Sequence, residues 1–277
     1  MEVGKPTSIR PFLKWAGGKS QLLAQLDSYL PKSIPHYVEP FLGGGAVFFF
    51  LRSTGRLTGT VRLSDINAEL INAYCAIQDD VQTVLEKLKI HRLNHSKEYY
   101  YEVRLQECKQ GPVGAARMIY LNKTGYNGLY RVNRSGHFNV PFGRYVNPGI
   151  FDEENLLKIS EALQGVDLSV RSYEQTIKET GRGDFIYADP PYVPLTATSD
   201  FTGYIPGGFG LKEQQALAQA LREAGGRGAH FLQSNSATDT VRKLYQDFTL
   251  ETVQATRMIN CNGASRGKID ELIAYNY

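Results

Sequence analysis

Residues 184–192 constrain this chain more than any others. The segment Asp184-Phe185-Ile186-Tyr187-Ala188-Asp189-Pro190-Pro191-Tyr192 begins as an apolar run with the composition of a buried strand. It stops at a carboxylate, two prolines and an aromatic ring. Proline lacks the N–H that a central ladder needs, so the strand ends there. Asp189 and Tyr192 are thereby presented at its carboxyl edge, which in an open α/β sheet is where ligands bind. Asp-Pro also starts ordinary turns, and the tetrapeptide alone leaves that reading open.

The residue types suit one kind of chemistry. A carboxylate beside a rigid carbonyl and a flat ring can grip the amino group of a planar base. On adenine that nitrogen is a poor nucleophile, because its lone pair is delocalised into the ring. Asp189 and the Pro190 carbonyl can each accept one of its N–H bonds, which draws the nitrogen towards tetrahedral geometry. The bond to Asp189 is charge-assisted and the stronger of the two. Tyr192 can stack on the base, worth ~1–3 kcal/mol. The prolines hold the backbone still, so little ordering remains to be done at reaction.

A second motif, Val38-Glu39-Pro40-Phe41-Leu42-Gly43-Gly44-Gly45-Ala46, reads as strand, glycine loop and helix start. Such a loop lets backbone approach a ligand closely at a helix amino terminus. It is not the dinucleotide G-x-G-x-x-G, whose third glycine would fall at Phe48. Nor is Gly18-Lys19-Ser20 the end of a P-loop, because the first glycine would fall at Leu13. About twenty residues on, Val61-Arg62-Leu63-Ser64-Asp65 ends a second strand in an acid. Asp65 can hold ribose hydroxyls there, or cap the helical pattern that follows from Ala68.

Charge is unevenly distributed. The 277-residue chain has a formal net charge of +3, yet Arg104 to Asn147 contains seven basic residues and one acid. That segment is also rich in Tyr, Asn and Gly, and its charge is the electrostatic footprint of phosphate binding. Cys75, Cys108 and Cys261 are far apart, with no metal-ligand spacing and no disulfide pattern, which favours a reducing, cytoplasmic location. The amino terminus carries no apolar signal region, and no run approaches the ~20 apolar residues of a membrane helix.

Periodicity predicts helices over Ala68–Ile77, Val81–Ile90, Leu156–Leu163 and Leu211–Ala224, and another starting near Gly114. Strands are expected at Leu168–Tyr173, Phe185–Ala188 and Gly228–Ser234, with Asn235 and Ser236 at the end of the last. An antiparallel hairpin is expected from Leu250, with Gln254, Thr256 and Met258 alternating before Leu272–Tyr275. Alternating strands and helices argue for an α/β fold with a mostly parallel central sheet.

Taken in order, the motifs resemble a known family. Phe41-Leu42-Gly43-Gly44-Gly45 is similar to the F-x-G-x-G motif of S-adenosylmethionine-dependent amino-methyltransferases, and Asp189-Pro190-Pro191-Tyr192 to their catalytic D-P-P-Y. Phe12-Leu13-Lys14-Trp15-Ala16-Gly17-Gly18-Lys19 resembles the segment that opens DNA adenine methyltransferases of the Dam type. Asn122–Arg131 and Phe138–Tyr145 resemble that family's target-recognition segment. The resemblance runs from Phe12 to the carboxyl end.

The resemblance implies a Rossmann-like methyltransferase domain with an inserted, mainly helical DNA-recognition domain. Residues 1–66 and 152–277 would form the catalytic, S-adenosylmethionine-binding domain and 67–151 the recognition domain. It assigns Trp15, Lys19, Glu39, Phe41, Gly43, Gly45, Asp65 and Asp189 to the cofactor site, and Asp189, Pro190 and Tyr192 to catalysis. Considered alone, Trp15 reads as a core residue and Lys19 as a solvated charge. Where many relatives carry Asp-Phe against the cofactor, this chain has Ser172-Tyr173, a weaker hydrogen-bonding pair. The implied reaction is direct methyl transfer to adenine N6 in duplex GATC, with the adenine rotated out of the stack. Lys14, Tyr126, Asn127, Leu129, Arg131, Pro141 and Arg144 would contact the DNA. Arg131 can pair bidentately with guanine O6 and N7, and Leu129 and Pro141 can touch a thymine methyl. Gly125 and Gly128 make Tyr126 and Asn127 a protruding turn suited to insertion, although burial of Tyr126 and Leu129 in a small core is the competing reading. A monomer without metal is expected, either beside a companion restriction endonuclease or as a solitary enzyme. Two alternatives stand beside this: a relative acting on cytosine N4, RNA or a glutamine amide, and a DNA-binding protein without catalysis. Relatives of the first kind usually carry serine or asparagine where Asp189 stands.

Overall fold

The computed structural model describes residues 9–107, 109–192, 209–256 and 268–277. Cys108, Met258 and Cys261 lie outside them, as does the amino terminus through residue 8. The chain runs α1 (Leu23–Leu26), β1 (Ile34–Glu39), α2 (Ala46–Ser53), β2 (Leu57–Asp65), α3 (Ala68–Leu93), α4 (Lys97–Leu105), α5 (Gly111–Thr124), α6 (Glu153–Ala162), β3 (Val166–Val170), α7 (Tyr173–Lys178), β4 (Asp184–Ala188), α8 (Leu211–Gly226), β5 (His230–Ser236), α9 (Asp239–Leu244), β6 (Thr249–Thr256) and β7 (Lys268–Tyr275). These elements fall into two compact units. The first comprises residues 1–18, 43–55 and 67–170, and the second 19–42, 56–66 and 171–277.

The sheet has seven strands, of which the second unit holds six, ordered β2-β1-β4-β5-β7-β6. β2, β1, β4 and β5 are parallel, and β7 runs antiparallel to both β5 and β6. The architecture is therefore Rossmann-like α/β with a mostly parallel sheet and an antiparallel hairpin at one edge. Strands buried on both faces read as continuous apolar runs, as in β4, where Phe185, Ile186, Tyr187 and Ala188 are all buried. Leu217, Leu221 and Ala224 place one face of α8 against Val38, Ile186, Phe231 and Leu272 of the sheet. That spacing of four and three is the apolar stripe of an amphipathic helix.

Caps decide where several elements begin. The strand predicted over Leu168–Tyr173 is shorter, ending at Val170. Ser172 forms a capping box with Gln175, each side chain bonded to the other's backbone N–H, so Tyr173 opens α7 instead. Local capping overrides alternation here. Asn67, not Asp65, caps α3 by accepting the Leu70 N–H at 3.1 Å. The two helices expected over 68–90 form one run broken at Asp80, whose backbone is non-helical (φ −149°, ψ 66°). Its carboxylate accepts the Thr83 N–H and starts the second half.

In the first unit α3 packs along α5 around a charged core. Arg117 is 2% exposed. Its guanidinium donates to the Val103 and Arg104 carbonyls at 3.1 and 3.0 Å, closing the end of α4. It also lies 3.6 Å from Glu69, which in turn pairs with Lys109 at 3.1 Å. Among the described residues, no helix is long and apolar enough to cross a membrane.

One glycine is required by the sheet itself. The register between β1 and β2 shifts between Ile34 and His36, and a Cβ on Gly59 would meet the Pro35 carbonyl oxygen at 2.3 Å. Gly59→Ala is expected to lower stability by ~1–3 kcal/mol through overpacking. The check is a denaturant midpoint compared at unchanged slope, and an unaltered midpoint would refute the assignment.

Candidate active site

β1 and β4 are neighbours, and the chain leaves β1 towards β2 on one side while β4 and β5 extend the sheet on the other. This reversal is the topological switch point at which α/β sheets bind ligands. The carboxyl ends of the central strands carry acids: Glu39 ends β1, Asp65 ends β2, and Asp189 follows β4. Proline at 190 and 191 stops β4 as its chemistry requires.

Asp189 is held by two donors. Lys19 is 3% exposed and places Nζ 2.7 Å from Asp189 Oδ1. Ser234 Oγ, from β5, donates to the same oxygen at 3.0 Å and shares a hydrogen bond with the Tyr187 hydroxyl at 3.2 Å. Lys19 Nζ also lies 4.7 Å from the Tyr192 ring centroid. The Tyr192 hydroxyl donates to Glu271 Oε2 on β7 at 2.6 Å, and Glu271 lies 3.9 Å from Lys19 Nζ. The loop after β4 is braced from below. Gln214 donates to the Pro191 carbonyl at 2.8 Å and accepts from Asn235 at 2.9 Å.

Burial raises the Asp189 pKa above the usual carboxylate range, and the Lys19 ammonium opposes the rise. Glu271 is raised for the same reason, again against Lys19. Burial also pushes the Tyr192 hydroxyl far up, reinforced by both carboxylates, so it remains a proton donor. One ammonium thus serves two carboxylates. Lys19, read alone as a solvated charge, is among the most buried cations of the chain.

Other sites predicted from sequence also lie in the second unit. Glu39 is 2% exposed and accepts the Tyr37 hydroxyl at 2.8 Å. Phe41 stacks on Tyr173 at 5.2 Å and 23° and meets Phe209 edge-on at 5.8 Å. The Asp65 carbonyl accepts the Arg171 N–H. The Ser172 hydroxyl accepts from Gln175 as the cap of α7.

The remaining predicted residues lie in the first unit. Gly43 has φ +48°, and a Cβ there would meet Trp15 Cδ1 at 2.9 Å. Gly45, at φ +68°, opens α2. Trp15 stacks on Tyr130 at 5.6 Å and 30°. Asn122 ties residue 14 to the recognition segment: it accepts the Lys14 N–H at 2.8 Å and donates to the Lys14 and Gly128 carbonyls at 2.9 Å. A Cβ on Gly128 (φ +63°) would strike the Lys14 side chain at 2.3 Å, whose ammonium lies 4.6 Å from the Tyr145 ring centroid. Tyr126 and Asn127 are exposed on a single 3-10 turn, Asn127 at φ 54°, and the Tyr126 N–H donates to the Pro141 carbonyl. Leu129 is half-buried. Arg131 is exposed, and its Nε donates to Asn139 Oδ1 at 2.7 Å. Arg144 is exposed in a left-handed backbone conformation and stands apart from these contacts.

Several residues of these clusters carry no sequence signal of their own. Glu271, Ser234 and Gln214 support Asp189 and its loop from strands and helices far along the chain. Lys123 is another. Burial, then Lys14 and Arg10, push its ammonium down to about 8.

A mostly parallel α/β sheet with a half-buried carboxylate and an aromatic ring at its switch point is the arrangement of an α/β protein that binds a ligand at its strand ends. The pattern of the D12 class N6 adenine-specific DNA methyltransferases matches residues 15–259, and the chain belongs to that family. A type II methyltransferase of Lactococcus lactis subsp. cremoris, M1.LlaDCHI, is 40% identical over 279 residues, covering 98% of this chain and 96% of its own. M.MjaIII, a type II methyltransferase of Methanocaldococcus jannaschii, is 42% identical over 289 residues, with 97% and 99% covered. The DNA adenine methylase of Escherichia coli (strain K12) is 38% identical over 270 residues, with 96% and 94% covered. The protein is an adenine-specific DNA methyltransferase.

The contact between Gly43 and Trp15 has an optical readout, because Trp15 is the only tryptophan in the chain. Gly43→Ala is expected to displace the indole and shift the intrinsic emission maximum while the fold persists. Emission and circular dichroism both identical to the parent would show that the loop absorbs the methyl group without moving Trp15.

Proposed function

We propose that the enzyme takes its methyl group from S-adenosylmethionine and places it on adenine N6 in duplex GATC, after rotating the adenine out of the stack. The observation that carries this reading is the half-buried Asp189 beside Tyr192 at the end of β4, held by Lys19. Asp189 accepts one N–H of the adenine amino group and the Pro190 carbonyl the other, so the nitrogen lone pair leaves the ring. Tyr192 supports the base face. Asp189 acts as an oriented acceptor rather than a free base, and Lys19 keeps it ionised against the cost of burial. Negative charge at Asp189 also favours the nitrogen as it becomes cationic.

The residues present fit the cofactor. Gly43 offers bare backbone where a Cβ would strike Trp15, which is the close approach such a loop needs. Glu39 and Asp65 at the strand ends suit amine and hydroxyl groups, and Lys19 suits a carboxylate. Trp15, Lys19, Glu39, Phe41, Gly43, Gly45, Asp65, Ser172, Tyr173 and Asp189 would hold it. S-adenosylmethionine supplies a sulfonium-activated methyl group whose departure needs no acid.

Residues 67–151 form the recognition domain of this reading, and 1–66 with 152–277 the catalytic one. Tyr126 and Asn127 fill the space left by the rotated base. Lys14, Leu129, Arg131, Pro141 and Arg144 read the flanking bases and backbone, with Asn139 presetting the Arg131 fork. Crowded cations at Lys14, Lys123 and Arg10 suit phosphate.

The test is transfer of labelled methyl to two short duplexes, one with a single GATC and one scrambled, with the product base identified after digestion. N6-methyladenine in the GATC duplex alone is expected. Label in both duplexes would discard the target, and label in neither would discard the substrate. Asp189→Asn is expected to lower kcat by ~10²–10³-fold while DNA affinity stays close to the parent's. Near-normal turnover would remove Asp189 from the reaction.

Arg131→Ala is expected to relax discrimination at one base pair by ~1–3 kcal/mol. The measurement is kcat/KM on duplexes altered one position at a time, and an unchanged specificity profile would reject the role.

A further inference from the structure

Glu271 lies on β7, in register with Ser236 of β5, and belongs to none of the motifs above. It is nonetheless linked to Lys19, which pairs with Asp189, and to Tyr192. The Tyr192 hydroxyl donates to it at 2.6 Å, and the Lys19 ammonium is 3.9 Å from it while lying 2.7 Å from Asp189. Its side chain is 14% exposed. The Tyr192 hydroxyl also lies within hydrogen-bonding reach of Asp189. It therefore sits between two carboxylates and points at Glu271.

We propose that Glu271 is a positioning residue for methyl transfer: it holds the Tyr192 hydroxyl and shares Lys19, and so keeps Asp189 open as an acceptor for the substrate amine. The inference rests on the role of Asp189 proposed above. Asp189 already receives Lys19 and Ser234 on Oδ1. A carboxylate has about four lone-pair sites. A third internal donor would take one of the two sites that remain and blunt the charge that the reacting nitrogen needs. Glu271 takes that third donor away. It does so with a charge-assisted bond, stronger than a neutral one. Its second effect is on charge. With Glu271 present, two carboxylates face one ammonium and the group carries a surplus negative charge. Without it, Lys19 and Asp189 cancel.

This arrangement predicts an unusual pattern of variants. Glu271→Ala lets the Tyr192 hydroxyl and Lys19 turn fully onto Asp189, and kcat is expected to fall by roughly tenfold or more, the value of one such bond in a dry site. Affinity for duplex DNA should change little, because Glu271 acts on Asp189 rather than on the duplex. Adding Tyr192→Phe removes the competing donor, so Glu271→Ala/Tyr192→Phe is expected to turn over several-fold faster than Glu271→Ala alone. Glu271→Gln, which keeps an acceptor for the hydroxyl, should lose less than Glu271→Ala. A purely structural glutamate would give neither the rescue nor the ordering.

The experiment is single-turnover methyl transfer on a GATC duplex for these variants, with Asp189→Asn in parallel and thermal melts to confirm folding. If Glu271→Ala does not fold, Glu271→Asp withdraws the carboxylate by one methylene and takes its place, with the same rescue expected. Parent-like kcat in Glu271→Ala, or a double variant no faster than the single one, overturns the inference. An active Asp189→Asn overturns the underlying reading of the site instead, so the two failures are distinguishable.

Discussion

The ion pair between Lys19 and Asp189 is the constraint around which the second unit is built. Moving a carboxylate out of water costs several kcal/mol, and a single partner seldom repays that in full. Here the deficit is met by position. Asp189 follows a strand buried along most of its length, Lys19 reaches it from the turn before α1, and Ser234 reaches it from β5. The carboxylate is thus oriented before any substrate arrives, and its raised pKa records the strain of that placement. An acceptor for a neutral amine benefits from such a setting, because its strength is undiluted by water.

The first unit solves a different problem. Its segment after α5 has little regular structure and is still held in a defined conformation. Asn122, on the buried face of α5, supplies the anchor with three hydrogen bonds to the backbone of Lys14 and Gly128. The Trp15–Tyr130 stack adds an aromatic contact on the next residue. The segment from 124 to 143 then closes on itself through backbone bonds such as Gly143 to Thr124 and Asn139 to Arg131. Exposed side chains at Tyr126, Asn127 and Arg131 stand on a framework whose glycines exclude any larger residue, as at Gly128.

Much of this was legible in the sequence where local chemistry decides the outcome. The strand stop at Asp189-Pro190, the glycine loop, and the long helices and final hairpin all rest on properties of adjacent residues. The short helices α7 and α9 were not legible, since six residues leave no period to detect. They are set by single caps at Ser172 and Thr238. Asp65 illustrates a near miss, because a cap two residues later, Asn67, serves α3. Glu271 was beyond reach for another reason. It is 79 residues from Tyr192, and its meaning comes from strand register alone. Lys19 lies between these extremes. Its burial cannot be inferred from its neighbours, whereas the family resemblance pointed to it directly.

Charge divides the labour between the two units. Around Asp189 there are two carboxylates and one ammonium, a locally negative site that repels phosphate and favours a nitrogen on its way to a positive charge. Around Lys14, Lys123 and Arg10 cations predominate, and burial, reinforced by Lys14 and Arg10, drives the Lys123 pKa down to about 8. A bound phosphate would relieve that repulsion and draw the proton back, so anion binding and full protonation of Lys123 reinforce each other. The net charge of +3 conceals this separation, which has to be read residue by residue.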